Sequence, residues 1–300
     1  MTATVLSGTS LRGELLREEP LARHTSWRVG GPAERLYRPA DRADLLEFLA
    51  GLPPDEPVFW LGLGSNLLVR EGGLRGTVLA VTGRLNALRL AGGDRVYAEA
   101  GVPSAHVARA AARAGLVGLE FLAGIPGTLG GALAMNAGAF GGETWRRVVE
   151  VETVDHRGVL RRRVPADYAV GYREVEGPAG EWFLTATLQG DPGDAAVAQQ
   201  EIRCLLERRA ATQPTSQPSG GSTFRNPPGD FAARLIESAG LKGLRVGGAE
   251  VSEKHANFIV NTGSATASDI EQLIDVVRDR VERIHGVRLQ TEVRIVGEAP

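Results

Sequence analysis

Between Leu122 and Gly142 the chain reads LAGIPGTLGGALAMNAGAFGG, with glycine at 124, 127, 130, 131, 138, 141 and 142. Most of the residues between them are small, among them Ala123, Thr128, Ala132, Ala134, Asn136, Ala137 and Ala139. Glycine gives up more conformational freedom on folding than any other residue, so this density needs a structural reason. Two arrangements supply one. The stretch is either a tight apolar corner that packs on itself, or a loop whose backbone N–H groups face a flat or anionic ligand. Pro126 is its only proline, no charge precedes Glu143, and there is no repeat, so it does not read as a disordered linker.

A second glycine loop, GLGSNLLV, runs from Gly62 to Val69 after the apolar run PVFWLGL. Gly62 and Gly64 supply G-x-G, but position 67 is leucine and LLVREGGLRGTVLAV reads as strand, turn, strand. A dinucleotide fingerprint needs a helix N-terminus to hold the pyrophosphate, so a Rossmann domain is not expected, nor is a P-loop. What remains is a strand–loop–strand in which Ser65 and Asn66 stand beside backbone N–H groups. That is an anion nest or an ordinary hairpin loop.

Composition narrows the rest. The chain has 300 residues, 43% hydrophobic and 23% charged, with formal net charge −2. Such a length predicts roughly two domains of about 150 residues each. Without a basic stripe, nucleic-acid binding is not expected. Cys204 is the only cysteine, which excludes an internal disulfide and a cysteine-based metal cluster. No histidine–carboxylate spacing predicts a metal site. The first twenty residues lack an apolar signal core, and no run approaches the roughly 18 apolar residues of a membrane span. A cytoplasmic protein without membrane partners follows, with a monomer as the expected state.

Local patterns predict the elements. Asp41 to Ala50 reads as a short helix with Leu45, Leu46 and Leu49 on one face, and Ser104 as the N-cap of a helix over His106 to Ala114. Alternation predicts strands at 148–154, 158–164 and 182–188, and Asp191-Pro192-Gly193-Asp194 breaks the chain before a long helix, Ala195 to Thr212. Further on, Phe231 to Ala239 reads as a helix and Ala256 to Asn261 as a strand. Ile270, Leu273, Ile274, Val277, Val281 and Ile284 make a helical stripe over Ala267 to His285. Val287 to Val296 reads as one last strand, with Leu289, Thr291, Val293 and Ile295 on one face and Glu292 on the other. A hinge near 191–215 separates this last α+β part from the rest.

GLGSNLLV, AGIPGTLGGALAMNAGAFG, GYRE, SGGSTFRNP, EKHANFIVN and TEVR occur in this order, and with them the chain resembles the UDP-N-acetylenolpyruvoylglucosamine reductase family. The match runs from about Arg23 to Gly297. The absence of an insertion between Asn226 and Ala256 makes it similar to the family's shorter type. The resemblance implies an α+β architecture: an FAD-binding fold of the vanillyl-alcohol-oxidase (PCMH-like) type in two subdomains, with a separate α+β substrate-binding domain. The implied divisions are 1–84 and 85–194 for flavin, with a core FAD region of about 28–193. Residues 205–290 take the substrate, and 291–300 form a C-terminal strand bringing Glu292 to the active site. FAD as bound cofactor, NADPH as cosubstrate and a UDP-sugar enolpyruvyl ether as small-molecule substrate are implied with it.

The resemblance also distributes roles. Gly62, Gly64, Ser65 and Asn66 would line the FAD pyrophosphate through backbone N–H groups. Gly124, Ile125, Gly127, Thr128, Gly131, Asn136 and Gly138 would run along the flavin ring and ribityl chain. Arg173 of GYRE matches the catalytic arginine, and a guanidinium suits a carboxylate because it donates in a planar fork. Ser222 would give the proton to C2, and Glu292 would share charge or a proton near the enolate. Tyr172, Asn226, Lys254 and His255 would meet the substrate. Two other readings stay open from sequence: a different FAD-linked oxidase or dehydrogenase of the same fold, and a UDP-sugar-binding module without cofactor. Fast flavin reoxidation by O2 marks the first and colourless protein the second.

Overall fold

The computed structural model describes residues 11–299. Met1–Ser10 and Pro300, the outer ends of the first and last expected divisions, lie outside the described residues. The chain forms two compact units from interleaved segments. One holds residues 11–17, Arg35–Leu63 and Gly76–Glu207; the other holds Glu18–Glu34, Gly64–Arg75 and residues 208–299.

The first unit contains a five-stranded antiparallel sheet ordered Leu160–Arg163, Val148–Asp155, Glu181–Gln189, Arg95–Glu99, Leu88–Leu90. Ala186 lies opposite both Val151 and Ala98, and Ala98 opposite Leu88, so one apolar row crosses four strands. This face is covered by α2 (Ser104–Arg113) and α3 (Leu129–Ala134), through Val107, Ala108, Ala111, Leu129 and Leu133. A second core gathers Leu45, Phe48 and Leu49 of α1 (Arg42–Ala50) around Tyr37, Leu79 and Val154. Phe48 stands in that core where Leu46 was expected; Leu46 packs only against its edge.

Helix α2 begins at Ser104 itself, with Pro103 in the cap position and no side-chain cap bond. The Ser104 N–H donates to Gly127 O at 2.9 Å, which draws the residue into the first turn instead of leaving it as the cap. Helix α4 spans Ala195–Thr212 as its pattern predicts.

In the second unit α5 (Ala232–Ser238) and α6 (Ala267–His285) pack with an antiparallel sheet of Arg245–Val246, Ala249–Val251 and Ile259–Asn261. Thr266 and Asp269 close a capping box at the start of α6, and Gly286 ends it at φ 68°. The expected stripe is buried from Ile270 to Val281, but Ile284 is 54% exposed because the last turn outruns the core. Trp27 is fully buried here; its Nε1–H donates to Ile259 O at 2.8 Å and its carbonyl accepts from Asn261 Nδ2 at 2.9 Å.

The last strand is shorter than its alternation suggests. Only Arg294–Val296 is regular, running parallel to Leu67–Val69. Before it the segment pairs with a different stretch: Arg225 N–H donates to Gln290 O at 2.9 Å, and Thr291 bridges antiparallel to Phe224. Leu289 and Val293 are buried as the pattern requires, so alternation survives while the strand is split between two partners.

Asp44 illustrates what ties down the start of the first unit. Its carboxylate accepts from Tyr37 Oη–H at 2.6 Å, Arg12 N–H at 2.6 Å, Ala40 N–H at 2.8 Å and Gly13 N–H at 3.3 Å. Burial by itself raises this carboxyl, but the Tyr37 hydroxyl and the three amides outweigh it and hold it below its ordinary value. A depressed carboxyl contributes stability above its unfolded value, near pH ~4, and that contribution is lost as pH falls through the folded value. Asp44→Asn should therefore cost about 3 kcal/mol at pH 7, the scale of broken hydrogen bonds to a buried charge. Urea unfolding at pH 7 and again below pH ~3 checks this, because the gap between parent and variant should narrow in acid. Equal midpoints at pH 7 would remove Asp44 as a tie.

Candidate functional site

Residues 120–143 fold as a compact knot, not an extended loop. A 3-10 turn, Glu120–Gly124, leads into α3, and Gly138–Ala139 then pairs antiparallel with Gly142–Glu143. Close approach explains several glycines. A Cβ on Gly124 would stand 2.5 Å from the Phe140 ring, and one on Gly138 would stand 2.4 Å from Gly142 O. Thr128 is buried and caps α3 by accepting from Gly131 N–H at 3.4 Å. A Cβ on Gly62 would lie 2.6 Å from Thr128 Oγ1, so the two glycine stretches meet there. Gly131, by contrast, is exposed, and a Cβ there would meet nothing nearer than Thr128 Oγ1 at 3.8 Å. Ile125 is buried, and Gly127 N–H donates to Ile125 O at 2.9 Å.

Arg173 reaches into this knot. It lies with Tyr172 in the two-residue link of the hairpin Ala169–Gly171/Glu174–Glu176, at φ 57°. Its Nη2 donates to Gly138 O at 2.9 Å and its Nη1 to Asn136 O at 3.4 Å. Asn136 is 2% exposed, and its side chain donates to Gly171 O at 3.0 Å while accepting from Trp145 N–H at 3.1 Å. The hairpin is thus fastened to the glycine knot from both directions. Beside it opens a cavity of about 590 Å³ lined by Asn136, Glu143, Trp145, Arg146, Tyr168 and Tyr172, among others. The Tyr168 hydroxyl is buried without a hydrogen-bond partner, and burial pushes it up to about 12.

The second unit carries the other named residues. Gly64 has φ 59°, and its carbonyl accepts from Ser26 N–H at 3.1 Å; Ser65 is half-buried after it. Ser222 is half-buried, following Gly221 at φ 77°. Its neighbour Thr223 donates N–H to Asn257 O and accepts from Glu292 N–H, both at 2.8 Å. Ser222 and Glu292 are thereby brought to adjoining segments of one backbone network, although 70 residues apart in sequence. Asn66 joins it, donating from Nδ2 to Glu292 O at 3.1 Å.

Asn257 is a residue that motif reading missed. Its Oδ1 accepts from Phe224 N–H at 3.0 Å and its Nδ2 donates to Phe224 O at 2.8 Å, which splints the loop carrying Ser222. The available signal was an asparagine inside the apolar run ANFIVN. Of the expected substrate residues, Asn226 accepts from Ala232 N–H at 3.1 Å at the start of α5, and the Lys254 ammonium donates to Ala210 O near the end of α4. The His255 ring stands edge-on to Phe258 at 4.8 Å, and burial lowers it below its ordinary value, which favours the neutral ring. Among the described residues no cluster is arranged to hold a metal ion, and no helix is long and apolar enough to cross a membrane.

With that geometry in view, similarity to known proteins is informative. The FAD binding domain family model matches residues 33–163, and the model of the UDP-N-acetylenolpyruvoylglucosamine reductase C-terminal domain matches residues 213–296. The UDP-N-acetylenolpyruvoylglucosamine reductase of Alkalilimnicola ehrlichii is 67% identical over 287 residues, 96% of each chain. The crystal structure of the Thermus caldophilus UDP-N-acetylenolpyruvylglucosamine reductase superposes with TM-score 0.81 at 36% identity, covering 95% of this chain and 98% of that one. In fold alone, 6-hydroxy-D-nicotine oxidase from Arthrobacter nicotinovorans is similar, with TM-score 0.59 at 12% identity, covering 95% of this chain and 90% of that one. The α+β flavin-binding class expected from the motifs is therefore the observed one.

Asn136 yields a direct test of the knot. Its φ of 44° is tolerated by asparagine and strained for alanine. Asn136→Ala should lower stability by about 3 kcal/mol, from two lost buried hydrogen bonds and the left-handed backbone. Chemical denaturation measures it, and a loss under about 1 kcal/mol would show that the hairpin is held elsewhere.

Proposed function

Because the chain belongs to the UDP-N-acetylenolpyruvoylglucosamine reductase family, we propose that it reduces UDP-N-acetylglucosamine enolpyruvate to UDP-N-acetylmuramate in peptidoglycan synthesis, using FAD and NADPH. The observation that carries this reading is kinship along nearly the whole chain, 67% identity over 96% of it. The reaction belongs to the cytoplasm, where its UDP-linked substrate is made.

The residues present suit a flavin. No charge lies between Leu122 and Gly142 to repel an anionic cofactor, and the exposed Gly131 leaves open space beside its backbone. Within the proposal Gly62, Gly64, Ser65 and the Asn66 backbone serve the pyrophosphate, while Gly124, Ile125, Gly127, Thr128, Gly131, Asn136 and Gly138 border the ring and ribityl chain. Residues 1–84 and 85–194 act as flavin-holding subdomains, 205–290 receives the UDP-sugar, and 291–300 carries Glu292. Tyr172, Asn226, Lys254 and His255 are the proposed substrate contacts; a neutral His255 would act there as a hydrogen-bond partner rather than a charge.

FAD, when bound, supplies the hydride delivered to C3 of the enolpyruvyl ether. Charge then accumulates at C2 and spreads into the carboxylate. Arg173 stabilises that charge, its plane already fixed by the carbonyls of Gly138 and Asn136. Ser222 gives its hydroxyl proton to C2, and Glu292 balances charge beside it.

Two variants test the assignment by half-reactions. Ser222→Ala should bind FAD and be reduced by NADPH normally, yet be reoxidised by the enolpyruvyl substrate about 100- to 10,000-fold more slowly, the scale of a lost general acid. Unimpaired reoxidation in stopped flow makes Ser222 a loop residue, and equal failure of flavin reduction makes it structural. Arg173→Lys keeps the charge but loses the planar fork, and should fall about 100- to 1,000-fold in turnover. Near-normal turnover would take Arg173 out of the site.

A further inference from the structure

Glu292 sits where the C-terminal segment changes partners. On one side its N–H donates to Thr223 O at 2.8 Å. On the other, the parallel ladder with Leu67–Val69 begins only at Arg294. Asn66 bridges the gap. Its backbone carbonyl accepts from Arg294 N–H at 3.0 Å, and its side-chain Nδ2 donates to Glu292 O at 3.1 Å. The amide orientation is dictated by the partner, since a carbonyl can only accept. Both backbone polar groups of Glu292 are therefore held, one by each neighbouring segment, at a point with no regular strand around it.

We infer that Asn66 is a positioning residue for Glu292. Its side chain extends the ladder past Leu67 and fixes the direction in which the glutamate leaves the backbone. The inference rests on the role proposed for Glu292 above. Without Nδ2, the Glu292 carbonyl loses the bond that ties it to the Leu67–Val69 side. A misplacement near 1 Å at a reacting group costs on the order of a hundredfold in rate.

The test uses FAD-loaded enzyme carrying Asn66→Ala, with Asn66→Asp as a same-shaped second variant that also lacks the donor. FAD affinity is read from flavin fluorescence, and reduction by NADPH and reoxidation are then followed separately at saturating FAD. Reoxidation by the enolpyruvyl substrate should slow by roughly ten- to a hundredfold. In a Glu292→Gln background the added Asn66→Ala should change reoxidation by less than about twofold, because the two residues act as a unit. Equal slowing in both backgrounds overturns the inference, as does a loss of FAD affinity that accounts for the slowing. If Glu292→Gln is slow but both Asn66 variants are normal, the inference alone fails. If Glu292→Gln is itself unimpaired, the role of Glu292 fails and the inference falls with it.

Discussion

A guanidinium laid across two backbone carbonyls holds the first unit's functional region together. Arg173 binds the carbonyls of Gly138 and Asn136, and the Asn136 side chain returns the contact to Gly171 on the hairpin that carries Arg173. Bonds from a charged donor contribute about 1.5–3 kcal/mol each, so this ring of contacts outweighs the positive φ angles it contains. At 124 and 138 a side chain would collide with the knot itself, whereas a Cβ on Gly131 would meet only Thr128 Oγ1 at 3.8 Å and one on Gly141 nothing within 4 Å. Packing against the knot accounts for 124 and 138, and a positive φ accounts for 141.

The second unit relies on asparagine in a recurring way. Asn257 splints Phe224 through both backbone groups, Asn261 joins Trp27 O to the amides of Gly263 and Ala265, and Asn66 ties Glu292 and Arg294. Each does so where a strand ends and ladder bonds run out. A carboxamide offers an acceptor and donors in one plane, as the peptide group does, with one N–H more. Aspartate has the shape without the donor, and glutamine has the donor one methylene too far.

Helices were legible wherever their signals are local. α4 and α6 span the residues their patterns predict, α4 starting where Asp194 accepts from the Ala196 and Val197 amides, and α6 because its capping box, periodic apolar positions and closing Gly286 are all local. Ser104 was misread because its amide is claimed by Gly127, 23 residues away. The last strand was misread because alternation reports burial and not partnership: residues 287–293 alternate correctly while pairing elsewhere than 294–296. Nothing local announces that residues 18–34 and 64–75 join the C-terminal unit, a grouping expressed in bonds such as Trp27 to Ile259. The identities of Arg173, Ser222 and Glu292 came from motifs. Asn136 and Asn66 were named from the same motifs, but as cofactor residues; that they and Asn257 bond to these segments across 33 to 226 residues has no local sign.

The link between the two strands of the 169–176 hairpin has a consequence for how sequences of this fold are sampled. A two-residue link with positive φ favours glycine or asparagine, and position 173 has φ 57°. Local backbone preference alone would place one of those residues there, relieving about 1 kcal/mol of left-handed strain. The arginine offsets that strain through its bonds to the carbonyls of Gly138 and Asn136, so turn preference and long-range bonding oppose each other at one position. In a library of folded variants, the spread of residues accepted at 173 would report how far the hairpin depends on its bond to the knot.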